Sequence, residues 1–454
     1  MDSTRKLRHA QQQSITRCAS STDFSQIGSA LQHKSLFQII EEEQPEHRER
    51  VFTPTVTLGA FLSQALDADA SCQSVVNKIA VDRLHEWVSA VNTSAYCQAR
   101  QRLPLNMVVR LTRQLGGMID DNTPQQWRWH GRPVKLVDGT TVSMPDTAEN
   151  QARFPQQATQ EPGLGFPIAR LVGIIAYGSG ALLNVAYAPF QGKGTGEHSL
   201  LREILDTFTE GDIVVADRYY ASYFLIAELQ SRGVDVVMQQ HAGRRTDFRK
   251  GRSLGSKDHV VEWRKPARPK WMDPSWYELL PDSLSIRELQ VDKKVLVTTL
   301  LSDKTAPRKQ LGDLYKDRWQ IELNLREIKT TLGMDVLRCK TPEMVIKEIW
   351  VHLLAYNLVR WLMNRSATLA GILPKEISFK HTLQLWRVFV SGPRRNDADL
   401  DSLCGLIAGI AVGKRPGRVE PRRVKRRPKP YGLLSEPRSV AREKIRKCGH
   451  PKKA

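Results

Sequence analysis

Between Pro133 and Gln240 the chain alternates short apolar runs with Gly-rich turns and helical stretches, and this order constrains the fold more than any other feature. PVKLVDGTTVSM predicts a short strand with Asp138 at its end. LVGIIAYGSGALLNVAYAPF predicts two strands joined at Gly178-Ser179-Gly180. GKGTGEHSLLREILDTF reads as a Gly-rich loop running into a helix. It has neither a Gly-Lys-Ser/Thr ending nor GxGxxG spacing, so it is not a nucleotide cradle. GDIVVADRYY predicts a buried strand with Asp217 at its exit, then ASYFLIAELQSRG a helix and VDVVMQQ a further strand. The order β, β, β, α, β, α, β places the chain in the α/β class.

A second constraint lies downstream in YKDRWQIELNLREIK, which has no Gly or Pro and predicts one helix from Tyr315 to Lys329. At about 100° per residue, Tyr315, Arg318, Glu322 and Lys329 share an arc of roughly 60°. Leu314, Ile321, Leu325, Ile328 and Leu332 form a separate apolar stripe that would seat the helix on a core. An exposed ion pair contributes only about 0.3 to 0.5 kcal/mol, so helix stability alone explains this polar line poorly. A solvated charged face is the plainer reading. A metal-bound phosphate, needing one acidic ligand and positive neighbours, is the functional one.

The net charge of +20 and pI near 9.8 point to a polyanion partner, with nucleic acid ahead of a membrane surface. No apolar run reaches about 18 residues, and the N-terminus lacks the apolar stretch of a signal peptide, so a cytoplasmic protein is expected. The six cysteines, at 18, 72, 97, 339, 404 and 448, show no CxxC pair and no zinc-like spacing with His. Residues 1 to about 50 read as a polar leader. Residues 52–120 read as helices: one capped by Thr in TPTVTLGAFLSQAL, one from Ser71 through Val91, and one from Leu105 through Leu115. Between the last two, Arg100 and Arg102 stand beside Gln98 and Tyr96, a module that would either grip a DNA end or simply pack.

From His241 to about Lys294 the chain is basic and irregular, with Trp263, Trp271 and Trp276 among its Arg and Lys residues. Cations interleaved with aromatics suit phosphate contact plus base stacking, whereas the competing reading is a β-rich insertion whose tryptophans form a small core. VLVTTLLSD then returns to strand. After Glu322, IKEIWVHLLAYNLVRWLM and SFKHTLQLWRVFV predict helices. Residues 414–454 carry 16 Lys and Arg against three Glu, thirteen of the net +20, in a Pro-rich segment unlike a folding unit. It reads as an electrostatic DNA arm.

Two aspartates at the ends of neighbouring strands and a glutamate on a later helix can converge on one spot. Three carboxylates so gathered repel each other unless they hold cations. Hard oxygen ligands select Mg²⁺ or Mn²⁺, and two such ions about 3.5 to 4 Å apart suit in-line displacement at a phosphodiester.

The order Asp138, Asp217, Glu322, with Tyr315, Arg318, Glu322 and Lys329 at Tyr-x2-Arg-x3-Glu-x6-Lys spacing, resembles the DDE transposases of bacterial insertion sequences, in the subgroup named for that YREK signature (insertion sequence family four). NTSAYCQARQRLP, GKGTGEHSLLR, ADRYY, HLLAYNLVR, ISFKHTLQLWRV and EPRRVKRRPKPY also look like family segments. The resemblance implies a ribonuclease-H-like core interrupted by a β-rich insertion, with a helical N-terminal region and a helical, basic C-terminal one. The corresponding divisions are 1–125, 126–240, 241–294, 295–372 and 373–454. It implies that Asp138, Asp217 and Glu322 are catalytic metal ligands for two Mg²⁺ ions, Mn²⁺ being possible, and that Tyr315, Arg318 and Lys329 contact DNA. Arg218, Arg326, Trp263, Trp271 and Trp276 are further DNA-binding candidates. The family tryptophan that helps expose a base is not placed by motif. The implied activity is cut-and-paste transposition on double-stranded DNA, at terminal inverted repeats and target, by a homodimer associated with the bacterial nucleoid and not with a membrane. A site-directed nuclease on the same fold, or a DNA binder that has lost catalysis, are the competing readings.

Overall fold

The computed structural model describes residues 34–44, 51–82, 92–391, 397–412 and 434–449. Nine strands form one sheet: β1 (Val134–Ser143), β2 (Ile168–Ala176), β3 (Leu182–Pro189), β4 (Ile213–Ala216), β5 (Asp235–Gln239), β6 (Arg252–Gly255), β7 (Asp258–Arg264), β8 (Ser283–Val291) and β9 (Lys294–Thr298). Their spatial order is β3-β2-β1-β4-β5-β9-β8-β7-β6. β1, β4 and β5 are parallel, while β2 and β3 run antiparallel to one another in a meander from β1. This five-stranded part is the ribonuclease-H-like core.

Both faces of the sheet are covered, which is why its central strands read as unbroken apolar runs. In β4, Ile213 and Val215 join one core and Val214 and Ala216 the other. The first core takes in the helices Lys34–Glu43, Pro54–Leu66 and Leu105–Asp121 and the long helix Pro342–Ala370. The second takes in Leu200 and Leu201, the helix Tyr223–Gln230, and Trp263, Met272 and Leu280 of the basic segment. The Thr53 hydroxyl caps the Pro54 helix by accepting from the Val56 N–H at 3.3 Å. The long helix ends at Gly371, whose φ of 65° is the left-handed conformation that glycine adopts without a Cβ clash.

Several expectations are corrected. Asp138 is not at the end of β1, because Thr140, Thr141 and Val142 continue the pairing with β2 after β4 has stopped pairing at Leu136. Tyr315 to Lys329 is not one α-helix. A helix Arg308–Lys316 meets a tight turn, a helix Trp319–Arg326 follows, and a π turn spans Glu327–Thr331. The first break comes where Asp317 is held by the Tyr177 hydroxyl and by Lys375 Nζ. Residues 241–294 are β-rich, and β8 pairs with β9, which extends the core sheet through β7 to β6. The helix from Leu105 runs on to Asp121, and the one near Ser71 is Cys72–Asp82, with 83–91 outside the described residues. The leader through residue 33 and tail residues 413–433 and 450–454 are also outside them. Within the tail, Arg438–Cys448 is a helix, stabilised in its last turn by Arg446 and Lys447 near the carbonyl end.

Candidate active site

The parallel register of β1 on β4 pairs Leu136 with Val215, and the same step onward along both strands reaches Asp138 and Asp217. Each aspartate has one oxygen fixed by nearby backbone: Gly139 N–H donates to Asp138 Oδ1 at 2.8 Å and Tyr219 N–H to Asp217 Oδ1 at 2.8 Å. Glu322 arrives from a helix far along the chain. Leu325, one turn further along that helix, rests over Gly173, the β2 partner of Asp138. The Arg318 guanidinium then spans the gap, with Nη2 donating to Glu322 Oε1 at 2.7 Å and Nη1 lying 3.6 Å from Asp138 Oδ2.

Burial pushes the Asp138 carboxyl up to about 6, with the charges of Asp217 and Glu197 adding to the rise and the Gly139 N–H and Arg318 opposing it. Burial also raises the Tyr315 phenol. That ring is only 7% exposed and its hydroxyl donates to Gln239 Oε1 at 3.3 Å, so Tyr315 braces the helix against β5. Arg318 is half-buried between the two helices. Lys329 is half-exposed within the π turn, and Arg218 and Arg326 are exposed.

The tryptophans of the basic segment divide. Trp263 is 3% exposed, donates Nε1–H to Glu288 Oε1 at 2.8 Å, and carries Arg244 3.6 Å over its ring. It is a core residue with no face left for a base, so of the three candidates only Trp271 and Trp276 keep exposed ring surface for DNA. Trp276 is half-buried, whereas Trp271 is exposed and packs on Arg202. Trp319 is not singled out by sequence, although it lies inside the signature next to Arg318, and it is 55% exposed. Glu197 and Arg360 also escape the sequence reading. Glu197 follows the Gly-rich loop and approaches Asp138. Arg360, on the long helix, donates to Asn324 Oδ1 at 2.7 Å and Glu327 Oε2 at 2.5 Å and so holds the end of the Glu322 helix.

Among the described residues no group of three His, Cys, Asp or Glu side chains is arranged to hold a metal ion. The donor set nevertheless fits a hard divalent cation. It is entirely carboxylate, and a positive charge, that of Arg318, already bridges two of its members.

A ribonuclease-H-like sheet that carries Asp138 and Asp217, with Glu322 joined to Asp138 through Arg318, points to the DDE transposase class, and a family model described as Transposase DDE domain matches residues 129–358, which include all three. The chain belongs to the IS4 family of these transposases. It is 30% identical over 404 residues to the transposase InsG for insertion sequence element IS4 of Escherichia coli (strain K12), covering 85% of this chain and 88% of that protein. It is also 38% identical over 71 residues to the transposase for insertion sequence element IS421 of Escherichia coli, 16% of this chain and 19% of that one. A cryo-EM structure of a piggyBac transposase synaptic complex with hairpin DNA aligns with 89% of this chain and 86% of that chain, at a TM-score of 0.40 and 12% identity.

Proposed function

We propose that the protein is a cut-and-paste DNA transposase that binds the terminal inverted repeats of its element, cuts at their ends and joins the 3′ ends to target DNA as a homodimer. The observation that carries this reading is the convergence of Asp138 and Glu322 on one guanidinium, with Asp217 just past the end of β4, the parallel neighbour of β1. Asp138, Asp217 and Glu322 would hold two Mg²⁺ ions, or Mn²⁺ in their place. Such ions activate an attacking oxygen and stabilise the leaving one in an in-line displacement. The chain's own residues do the rest. Arg318, released from the carboxylates, turns to a phosphate beside the scissile bond, and Lys329, Arg218 and Arg326 take neighbouring phosphates. Among the described residues no helix is long and apolar enough to cross a membrane. The proposed setting is the bacterial cytoplasm, on the nucleoid.

One triad must break two strands of opposite polarity. Water first cuts one strand and leaves a 3′-hydroxyl. That hydroxyl attacks the opposite strand, expels its flanking 3′ oxygen and closes a hairpin on the transposon end, which a second water opens. Such tight bending is eased by extruding a base, at a cost of a few kcal/mol, and stacking on an aromatic returns about 1 to 3 kcal/mol. The exposed indole of Trp319, beside Arg318, suits this better than buried Trp263.

The test uses end-labelled DNA carrying the inverted repeats that flank the gene, with and without Mg²⁺, on a denaturing gel. A metal-dependent nick followed by a hairpin is expected, and a pre-cut end should join to target. Nicking without joining would instead indicate a nuclease, and binding without nicking a passive binder. Trp319→Ala should slow hairpin formation while sparing the first nick.

A further inference from the structure

We propose that Glu197 is a fourth acidic group of this site, a positioning residue that acts on the same cation as Asp138, and that Tyr220 and Gly139 aim it there. The inference rests on the catalytic reading of Asp138, Asp217 and Glu322.

The GKGTGEHS segment, which suits no nucleotide cradle, is tied down at the edge of the site. Arg170 of β2 donates through Nη1 to the Thr195 carbonyl at 2.7 Å and stacks 4.5 Å from the Phe190 ring. Leu200 and Leu201 are fully buried just beyond it. Glu197 therefore starts from a fixed backbone. One of its oxygens, Oε2, accepts from the Tyr220 hydroxyl at 3.1 Å, and the Tyr220 ring is completely buried on the segment that follows Asp217. The other oxygen, Oε1, lies well inside van der Waals contact of where a Cβ at Gly139 would stand. Gly139 directly follows Asp138. A Cβ at position 139 would push this carboxylate aside, so the glycine leaves the space that lets Glu197 lie against the strand at Asp138.

Structural carboxylates elsewhere in this fold are paired with cations, as Glu228 is with Arg202 at 3.0 Å and Asp212 with Lys135 at 2.6 Å, or held by several backbone N–H groups, as buried Glu348 is by those of Arg338 and Cys339. Among the described residues Glu197 has no such ion pair and is held by a hydroxyl instead. A glutamate opening a helix is mildly favourable, but that would not require a glycine at position 139 or a buried phenol. A hard divalent ion keeps several waters, and a carboxylate fixed just outside its direct ligands can accept hydrogen bonds from them. The Arg318 guanidinium between Asp138 and Glu322 shows that this end of the sheet already stabilises a cation.

The experiment titrates Mn²⁺ into the full-length protein without DNA by calorimetry, and in parallel measures nicking of end-labelled DNA against Mn²⁺ concentration. Glu197→Gln, which retains shape and an acceptor for Tyr220, should weaken Mn²⁺ binding by about tenfold and raise the half-maximal Mn²⁺ for nicking to match. Its melting temperature without cation should not fall. Glu197→Asp should recover part of the affinity. Tyr220→Phe, which keeps the charge but frees the carboxylate, should lie between Gln and the parent, and it carries the test if the Gln variant fails to fold. Mn²⁺ affinity within twofold of the parent in Glu197→Gln, or in Tyr220→Phe where that variant stands in, would overturn the proposal. Asp138→Asn separates the two levels: loss of binding there with none in Glu197→Gln rejects only Glu197, whereas unchanged binding in both rejects the cation site itself.

Discussion

Asp138 carries a charge that the metal-free fold resists. Its carboxyl sits at about 6 against an ordinary value of 3.8. A raised acid contributes stability below its unfolded value, near pH 4, and loses that contribution as pH rises through about 6. At pH 7 the ionised group is therefore a cost, on the order of 3 kcal/mol. Asp138→Asn should raise the melting temperature of the cation-free protein at pH 7, the gain vanishing below about pH 4, while abolishing nicking and sparing DNA binding. Mn²⁺ affinity of the parent should fall as pH drops below about 6, where Asp138 takes up its proton. Removing the resident counter-ion acts the other way. Arg318→Ala leaves Asp138 and Glu322 uncompensated, so the melting temperature should fall without cation and rise more steeply with added Mg²⁺ than in the parent. The order of the three carboxylates stands out in sequence, but the place of Asp138 inside β1 does not, because only the pairing with β2 carries the strand past it. The Arg318 contact with Glu322 follows from i,i+4 spacing, but its contact with Asp138 joins residues far apart in the chain. Glu197 escapes notice for the same reason, since Gly139 reveals its purpose only once the two are neighbours.

The Glu322 helix is legible in its periodicity and illegible in its breaks. Its apolar stripe marks the buried face, for Ile321, Leu325 and Ile328 all lie in the first core. The π turn at Glu327–Thr331 depends on a partner on another helix. Arg360 is fully enclosed, donates Nε–H to the Tyr356 hydroxyl at 2.8 Å, and pairs with Glu327. Burial pushes the Glu327 carboxyl up and Arg360 opposes this, so the pair is mutually dependent. Arg360→Met should destabilise the protein by about 3 kcal/mol in urea unfolding, because it strands a buried charge. Adding Glu327→Leu should recover much of that loss. If the π turn positions Lys329 for DNA, the double variant should remain folded yet engage a pre-cut end more weakly. The tight turn at Asp317–Arg318 is equally hidden, since Tyr177 and Lys375 come from other parts of the chain.

At the scale of the molecule, charge and order are readable and continuity is not. The strands come in the expected sequence, and the electropositive tail is a matter of composition. Deleting residues 414–454 should flatten the slope of log affinity against log salt, each lost phosphate contact removing about 0.9 from it. An unchanged slope would mean that the tail leaves DNA untouched. What sequence leaves open is whether residues 241–294 form a module of their own, since a run of Arg and Trp says nothing about which edge its strands will join. They join β9, and that has a consequence for anyone trimming this protein. A shortened chain lacking 244–291 would not be a minimal enzyme. It would strip Trp263, Met272, Leu280, Leu284 and Ile286 from the second core and leave Lys294–Thr298 as a raw edge, free to recruit the same strand from another copy.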